Sequence, residues 1–552
     1  MSLGGETVTE QPFDLTRPPD LAHKRQTGPA RTQRPIYVDL LPPCNHACPA
    51  GEDIQAWLAF ATEGLFREAW ETILKDNPLP AVHGRVCYHP CETSCNRGRL
   101  DAPVSIHAVE RFLGDKALQE GWVPRLKARQ SGKRVLIVGA GPSGLSAAHH
   151  LTLMGHEVEI HEAGPMAGGM MHFGIPAYRL PRNVLDGEIK RIENMGVNIV
   201  LDHKVENLKE EIEQGGFHAA FVAVGTQLSK RVDIPGRDAG KIIDALGFLK
   251  SVEMGEAPKL GRRVAVYGGG NTAMDAARAA ARLGYEPMII YRRDRANMPA
   301  HEFEADEAVE EGIKIHWLRK IKSIEESRFT VEVMEVDEQG RPQPTGRFET
   351  IEANDLILAL GQQTDTAFLR GVPGVEFNED GTVIVSETMM TGYPGLFAGG
   401  DMVPSERTVT SGVGHGKKAA RNIDAYLRGS TYTKPPSNEM ATFEKLNLWF
   451  YTEASQRPQG HLETQRRREG FDEVVHGLSE RDASYEAKRC LSCGNCFECD
   501  GCFAACPEDA IIKLGPKRGY EIDFDLCTGC AICFEQCPCH AIEMIPEPQA
   551  GE

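Results

Sequence analysis

The 16 cysteines of this chain fall into two groups with a long gap between them, and that spacing restricts the fold more than any other feature. Five lie in residues 44–95 and eleven in residues 490–539, with none between Cys95 and Cys490. The opening MSLGGETVTEQPFDL lacks the apolar stretch of a secretory signal, so a cytoplasmic location is expected, where disulfide frameworks are rare. C-x-x-C spacing in that compartment reads as metal ligation. The cysteine-free centre also excludes a C-x-x-C redox disulfide there. The pattern C-x2-C-x2-C-x3-C-P occurs twice, as Cys496, Cys499, Cys502, Cys506, Pro507 and as Cys527, Cys530, Cys533, Cys537, Pro538. This is the spacing of paired [4Fe–4S] clusters, in which the fourth cysteine of each run ligates the other cluster. The expected sets are Cys496, Cys499, Cys502 with Cys537, and Cys527, Cys530, Cys533 with Cys506. Zinc binding does not call for a doubled run with both prolines.

With 552 residues the chain is too long for one core, and three or four domains are expected. A content of 41% hydrophobic and 25% charged residues excludes a disordered chain. A net charge of −18 argues against sequence-independent nucleic-acid binding, which needs a basic face. No apolar run reaches the roughly 18 residues of a membrane span. The texture changes along the chain give the expected domains. Residues 1–35 are a polar arm, and 36–130 a helical iron–sulfur domain in which 52–75 reads as an amphipathic helix. Residues 131–235 and 360–430 form the two parts of an FAD-binding domain, with a nicotinamide-binding domain at 236–359 between them. Residues 431–488 are a connector, and 489–552 an α+β ferredoxin domain with two [4Fe–4S] clusters. The fold class is therefore α/β multidomain, with two interleaved Rossmann-like units between a helical iron–sulfur domain and a ferredoxin.

The two central units rest on strand–glycine–helix patterns. KRVLIVGAGPSG places Gly139, Gly141 and Gly144 between an apolar strand and a helix, and Glu162 ends the next strand. The glycines permit a tight turn and a close approach of backbone to pyrophosphate, and the acid accepts from a ribose hydroxyl. RRVAVYGGGNTAMDAA repeats the pattern with Gly268, Gly270, Asn271, Thr272 and Ala273. Arg292 and Arg293 stand there in place of the acid. A guanidinium pairs with a 2′-phosphate that a carboxylate would repel, so the first unit suits FAD and the second NADP(H), with NAD(H) the alternative. A third glycine stretch carries Gly399, Gly400 and Asp401, placed to meet the flavin ribityl and pyrophosphate region.

The order GAGPSG, GGGNTAMDAA with YRR, then FAGGD, resembles the small subunit of NADPH-dependent glutamate synthase. It also resembles the related parts of dihydropyrimidine dehydrogenase and of NADH-dependent ferredoxin:NADP oxidoreductase. NPLPAVHGRVC, ERF and GGMMHFGIPAYRLP fit the same family, so the resemblance covers roughly residues 36–430. It implies further cofactor positions at Gly169, Arg179 and Gly225. It also implies two N-terminal clusters. Cys48, Cys87 and Cys91 fall on one set, with Glu110 of ERF as fourth ligand, and Cys44 and Cys95 fall on the other. The family's C-x2-C pair upstream of Cys44 is missing here. The surplus pair Cys490 and Cys493 in EAKRCLSC resembles that pair moved to the far end of the chain. Fifteen cysteines and Glu110 then supply four clusters; without the composite site there would be three. Cys539 is spare.

The expected function is transfer of electrons between NAD(P)H, FAD, a [4Fe–4S] chain and a partner redox protein docking near the ferredoxin. Catalytic residues in the acid–base sense are not expected, because the cofactors supply the reaction. The alternatives are a glutamate synthase small subunit, an electron-transfer subunit for a dissimilatory sulfite reductase or 2-oxoacid oxidoreductase, or a non-catalytic assembly protein. A homodimer is possible in each case.

Overall fold

A computed structural model describes residues 31–229, 234–235 and 241–548. Most of the expected arm lies outside the described residues. Its end, however, is part of a sheet. Gln33–Tyr37 is a strand paired antiparallel with Ile542–Pro546, Gln33 opposite Pro546 and Tyr37 opposite Ile542. The arm boundary at 35/36 therefore cuts a strand that covers an open edge of the C-terminal domain. Arg31 fixes it further, donating to Glu547 at 2.6 and 2.7 Å and to the carbonyl of Cys527 at 2.9 Å.

The single helix expected over 52–75 is two, Ile54–Thr62 and Phe66–Ile73. Asp53 caps the first, accepting from the Ala56 amide at 3.3 Å. Gly64, with φ +75°, turns the chain in the left-handed region and ends it. Ile54, Trp57, Leu58 and Ala61, then Ala69, Trp70 and Ile73, bury one continuous apolar face. Removing either fully buried tryptophan ring would cost about 3–5 kcal/mol.

The flavin-type domain is a five-stranded parallel sheet ordered Leu396–Ala398, Ala219–Val222, Arg134–Val138, Glu157–His161 and Asn198–Val200. Its central strand is a buried apolar run, as helices on both faces require. The edge strand Leu396–Ala398 returns from far along the chain, so this domain is discontinuous. Between its parts lies a second parallel sheet ordered Lys314–His316, Glu286–Ile290, Arg263–Tyr267, Asp355–Leu358 and Ile242–Asp244. An antiparallel meander, Arg319–Glu325, Arg328–Val336 and Pro342–Glu352, is attached to it. Its β-branched alternation went unread beside the stronger glycine signals.

The connector is a strap laid over the molecule. Ala441, Leu446 and Leu448 pack with Leu40 and Leu491, and the Val474 amide donates to the Tyr178 carbonyl at 2.9 Å. In the ferredoxin unit, helices Gly501–Ala505 and Ile532–Gln536 flank the hairpin Ile511–Lys513/Tyr520–Ile522. Among the described residues no helix is long and apolar enough to cross a membrane.

Candidate functional sites

The first glycine loop leaves the sheet at Val138. Gly139 has φ +104°, and a Cβ there would lie 2.6 Å from the Ala223 carbonyl oxygen, so only glycine fits. Gly141 starts helix Pro142–Leu153 and opens onto space, with nothing within 4 Å of an added Cβ. Glu162 braces this loop, its carboxylate accepting from the amides of Ala140 and Gly164, each at 2.8 Å. Gly169 approaches the Gly141 Cα, and Gly400 lies against the Ser143 side chain. Asp401 follows, beside Thr226 and hence next to Gly225; burial pushes its carboxyl up to about 6. The residues expected at the flavin thus gather around the start of the helix Pro142–Leu153. Sequence reasoning missed Ser143. Its hydroxyl is buried and has no hydrogen-bond partner. An orphaned donor at a helix start, facing open glycines, fits a pyrophosphate.

The second loop has the same construction. Gly270 begins helix Asn271–Arg282 with nothing within 4 Å of an added Cβ, and Ala273 is fully buried where helix and strand must pack closely. Thr272 occupies the first turn. Asn271 is held from the iron–sulfur domain: its Nδ2 donates to the Tyr88 hydroxyl at 2.6 Å, and its Oδ1 accepts from the His301 amide at 3.1 Å. Arg292 is exposed and Arg293 half-buried with an unpartnered Nε. Neither pairs with a carboxylate among the described residues. Arg293 lies against the Tyr291 side chain, so the pair forms a basic edge beside the second loop with no carboxylate paired to it among the described residues.

Arg179 is placed differently from the other expected cofactor residues. It lies inside an ion pair with Asp275 at 2.8 Å and Glu304 at 2.6 Å, joining the two nucleotide domains. Tyr178 donates to Asp275 at 3.1 Å in the same network. Burial, reinforced by Asp275, pushes Glu304 up to about 7 in spite of the arginine.

No disulfide joins the cysteines, and fifteen of them gather with Glu110 into four groups of four. Cys44, Cys95, Cys490 and Cys493 line one small cavity, although two belong to each end of the chain. Cys48, Cys87, Cys91 and the Glu110 carboxyl lie close enough to raise one another's proton affinity. Glu110 accepts from Asn77 at 2.7 Å, and so does a second buried carboxylate, Glu52, at 3.0 Å. Cys496, Cys499, Cys502 and Cys537 are mutual neighbours, and Cys506, Cys527, Cys530 and Cys533 line a separate cavity. Burial pushes the Cys490 and Cys496 thiols up to about 11 and Cys493 to about 12. Backbone amides aim at several sulfurs, Ser492 at Cys490 and Gly529 at Cys527, each at 3.4 Å, and Ala541 at Cys537 at 3.2 Å. Grouped thiols, all but Cys496 and Cys530 buried or half-buried, with N–H···S donors fit metal-bound thiolates. Cys539 is buried beside Cys537, the sulfurs 3.9 Å apart.

The two systems touch. Cys87 lies beside the hydroxyl of Thr410, in the helix Val409–Leu427 that packs on the first loop's helix. Lys417 of that helix reaches the iron–sulfur domain, donating to the Gly51 carbonyl at 3.1 Å and to Asp76 at 2.8 Å.

Residues 133–419 match the family model described as pyridine nucleotide-disulphide oxidoreductase. Residues 26–122 match dihydropyrimidine dehydrogenase domain II, 4Fe-4S cluster, and 520–543 match a 4Fe-4S binding domain. The chain is 37% identical to the NADP(+)-dependent formate dehydrogenase subunit beta of Moorella thermoacetica, over 82% of this chain and 70% of that one. It is 32% identical to the NADPH-Fe(3+) oxidoreductase subunit beta of Geobacter sulfurreducens, over 82% and 75%. It is 33% identical to the glutamate synthase [NADPH] small chain of Escherichia coli, over 70% and 89%.

Proposed function

The chain belongs to the pyridine nucleotide-disulphide oxidoreductase family, and on that premise we propose that it passes electrons between NADPH and a partner subunit through FAD and four [4Fe–4S] clusters. The observation that carries this reading is a missing disulfide. No cysteine lies between Cys95 and Cys490, so the flavin has no redox disulfide to serve. A cysteine-bearing segment instead rests on the flavin domain, where Cys87 lies beside Thr410. When bound, the flavin supplies the exchange of a hydride for single electrons, and the clusters carry these one at a time.

The chain's own residues bind and orient. The Gly139–Gly144 turn and Ser143 cradle the pyrophosphate, Glu162 takes the ribose, and Asp401 with Gly225 and Gly400 closes the cleft. Gly268, Gly270 and the two arginines select a nicotinamide dinucleotide that carries a 2′-phosphate on its adenosine ribose. Arg179, through Asp275 and Glu304, sets the two nucleotide domains relative to each other. Residues 36–130 and 489–552 hold the clusters, 131–235 with 360–430 the flavin, and 236–359 the nicotinamide. Two of the relatives are named as beta subunits, which supports a separate catalytic subunit as partner.

The test is anaerobic addition of NADPH to the cluster-replete protein. Bleaching of the flavin followed by reduced-cluster signals in electron paramagnetic resonance is expected. Flavin bleaching with no cluster signal would refute the electron path.

A further inference from the structure

We infer that the flavin domain carries a divalent transition-metal site formed by His161, His203 and Glu211, separate from the cysteine sites. His161 ends the strand Glu157–His161 and is 6% exposed. Its Nε2 lies 2.9 Å from Glu159 Oε1. An ionised carboxylate only accepts, so Nε2 carries the ring proton and Nδ1 is left with a bare lone pair. Yet Nδ1 faces a second carboxylate oxygen, Glu211 Oε1, at 3.1 Å without forming a hydrogen bond. Lone pair against lone pair at that distance is repulsive unless a metal ion or a second ring proton stands between them.

The third donor converges on the same point. His203 Nε2 is 2.9 Å from Glu211 Oε1, and the three ligand atoms all lie within 4.8 Å of one another. Ligands held about 2.0–2.2 Å from a tetrahedral zinc stand roughly 3.4 Å apart, so the group needs only to open slightly. Two imidazoles and one carboxylate, with a fourth position left to water, are a known zinc donor set. The fourth position here faces solvent, since His203 is 41% and Glu211 25% exposed. Glu159 completes the carboxylate–histidine–metal arrangement behind the site and is itself fixed by Asn198 at 3.0 Å. Imidazole-rich sets favour Zn²⁺, Ni²⁺ or Cu²⁺ over Mg²⁺ or Ca²⁺, and His203 would bind through Nε2 with its ring proton on Nδ1.

The location gives the site a consequence. His161 immediately precedes Glu162, and the His203 amide donates to the Glu162 carbonyl at 2.8 Å. A metal across His161 and His203 would tie both strands of backbone that hold the flavin-ribose acid. The competing arrangement, a doubly protonated His161 between Glu159 and Glu211, needs no metal.

Zinc decides between them. Cluster-replete, flavin-replete protein is equilibrated with a small excess of Zn²⁺, dialysed against a weak chelator, and its zinc measured by mass spectrometry with iron and flavin as controls. Wild type should retain one zinc per chain more than His203→Ala and Glu211→Gln, both at accessible side chains. X-ray absorption at the zinc edge should show nitrogen and oxygen neighbours. Equal zinc in wild type and variants, or a sulfur shell, overturns the site.

Discussion

Arg292 and Arg293 follow the strand Glu286–Ile290 with no carboxylate to neutralise them among the described residues, which leaves their charge for an anionic ligand. Replacing both by serine should raise KM for NADPH by about 10- to 100-fold, the loss of one or two charge-assisted hydrogen bonds. KM for NADH should change little. Steady-state kinetics with both cofactors is the check, and equal wild-type use of NADH and NADPH would remove the argument. The same reasoning applies to Ser143, whose buried hydroxyl awaits a partner. Ser143→Ala should retain FAD about 10-fold more weakly, measured as flavin release on dilution. The arginines were legible in the sequence because charge is a residue property. Ser143 was not, because its role appears only when Gly400 returns from the distant edge strand to pack on it.

At the scale of elements, strands and glycine turns could be read because their signals are local: a buried apolar run, then residues that admit tight backbone. The break at Gly64 within an otherwise helical pattern was hidden because the apolar spacing continues in phase across it. Arg179 was expected at the cofactor, but its partners Asp275 and Glu304 lie in a different domain, which no local pattern reveals. This network gives a pH prediction. Burial keeps the Glu304 proton on up to about pH 7, above its value in the unfolded chain. Native protein then binds the extra proton between about pH 4.5 and 7, so this group's contribution to stability falls as pH rises through that window. Glu304→Gln removes the titration. Its Tm relative to wild type should therefore rise between pH 5.5 and pH 8 in thermal melts. A relative fall would mean that the Arg179 pairing outweighs burial.

At the scale of the whole molecule, the far ends of the chain meet at Cys44, Cys95, Cys490 and Cys493. Two buried guanidinia reinforce the junction. Arg97 donates to the Arg489 carbonyl at 3.1 Å, and Arg489 donates to the Pro103 carbonyl at 2.9 Å and to Asp101 at 3.1 Å. Cys490→Ser/Cys493→Ser should lose about four irons per chain, one [4Fe–4S] site, while the ferredoxin signals persist. Unchanged iron would leave the chain with three clusters. The grouping of these cysteines was legible from the family resemblance joined to the count, since the resemblance marks one pair as missing and the count leaves another over. The pairing of Gln33–Tyr37 with Ile542–Pro546 was not, because an edge strand carries no mark of its partner. That closure also imposes an order in time. Cys44 leaves the ribosome roughly 450 residues before Cys490, which at about 5–20 residues per second is roughly 20–90 s. For that interval the first domain to be synthesised has an open sulfur site and an unpaired strand. The first domain made is thus the last to be finished, and its completion reports that the rest of the chain has arrived.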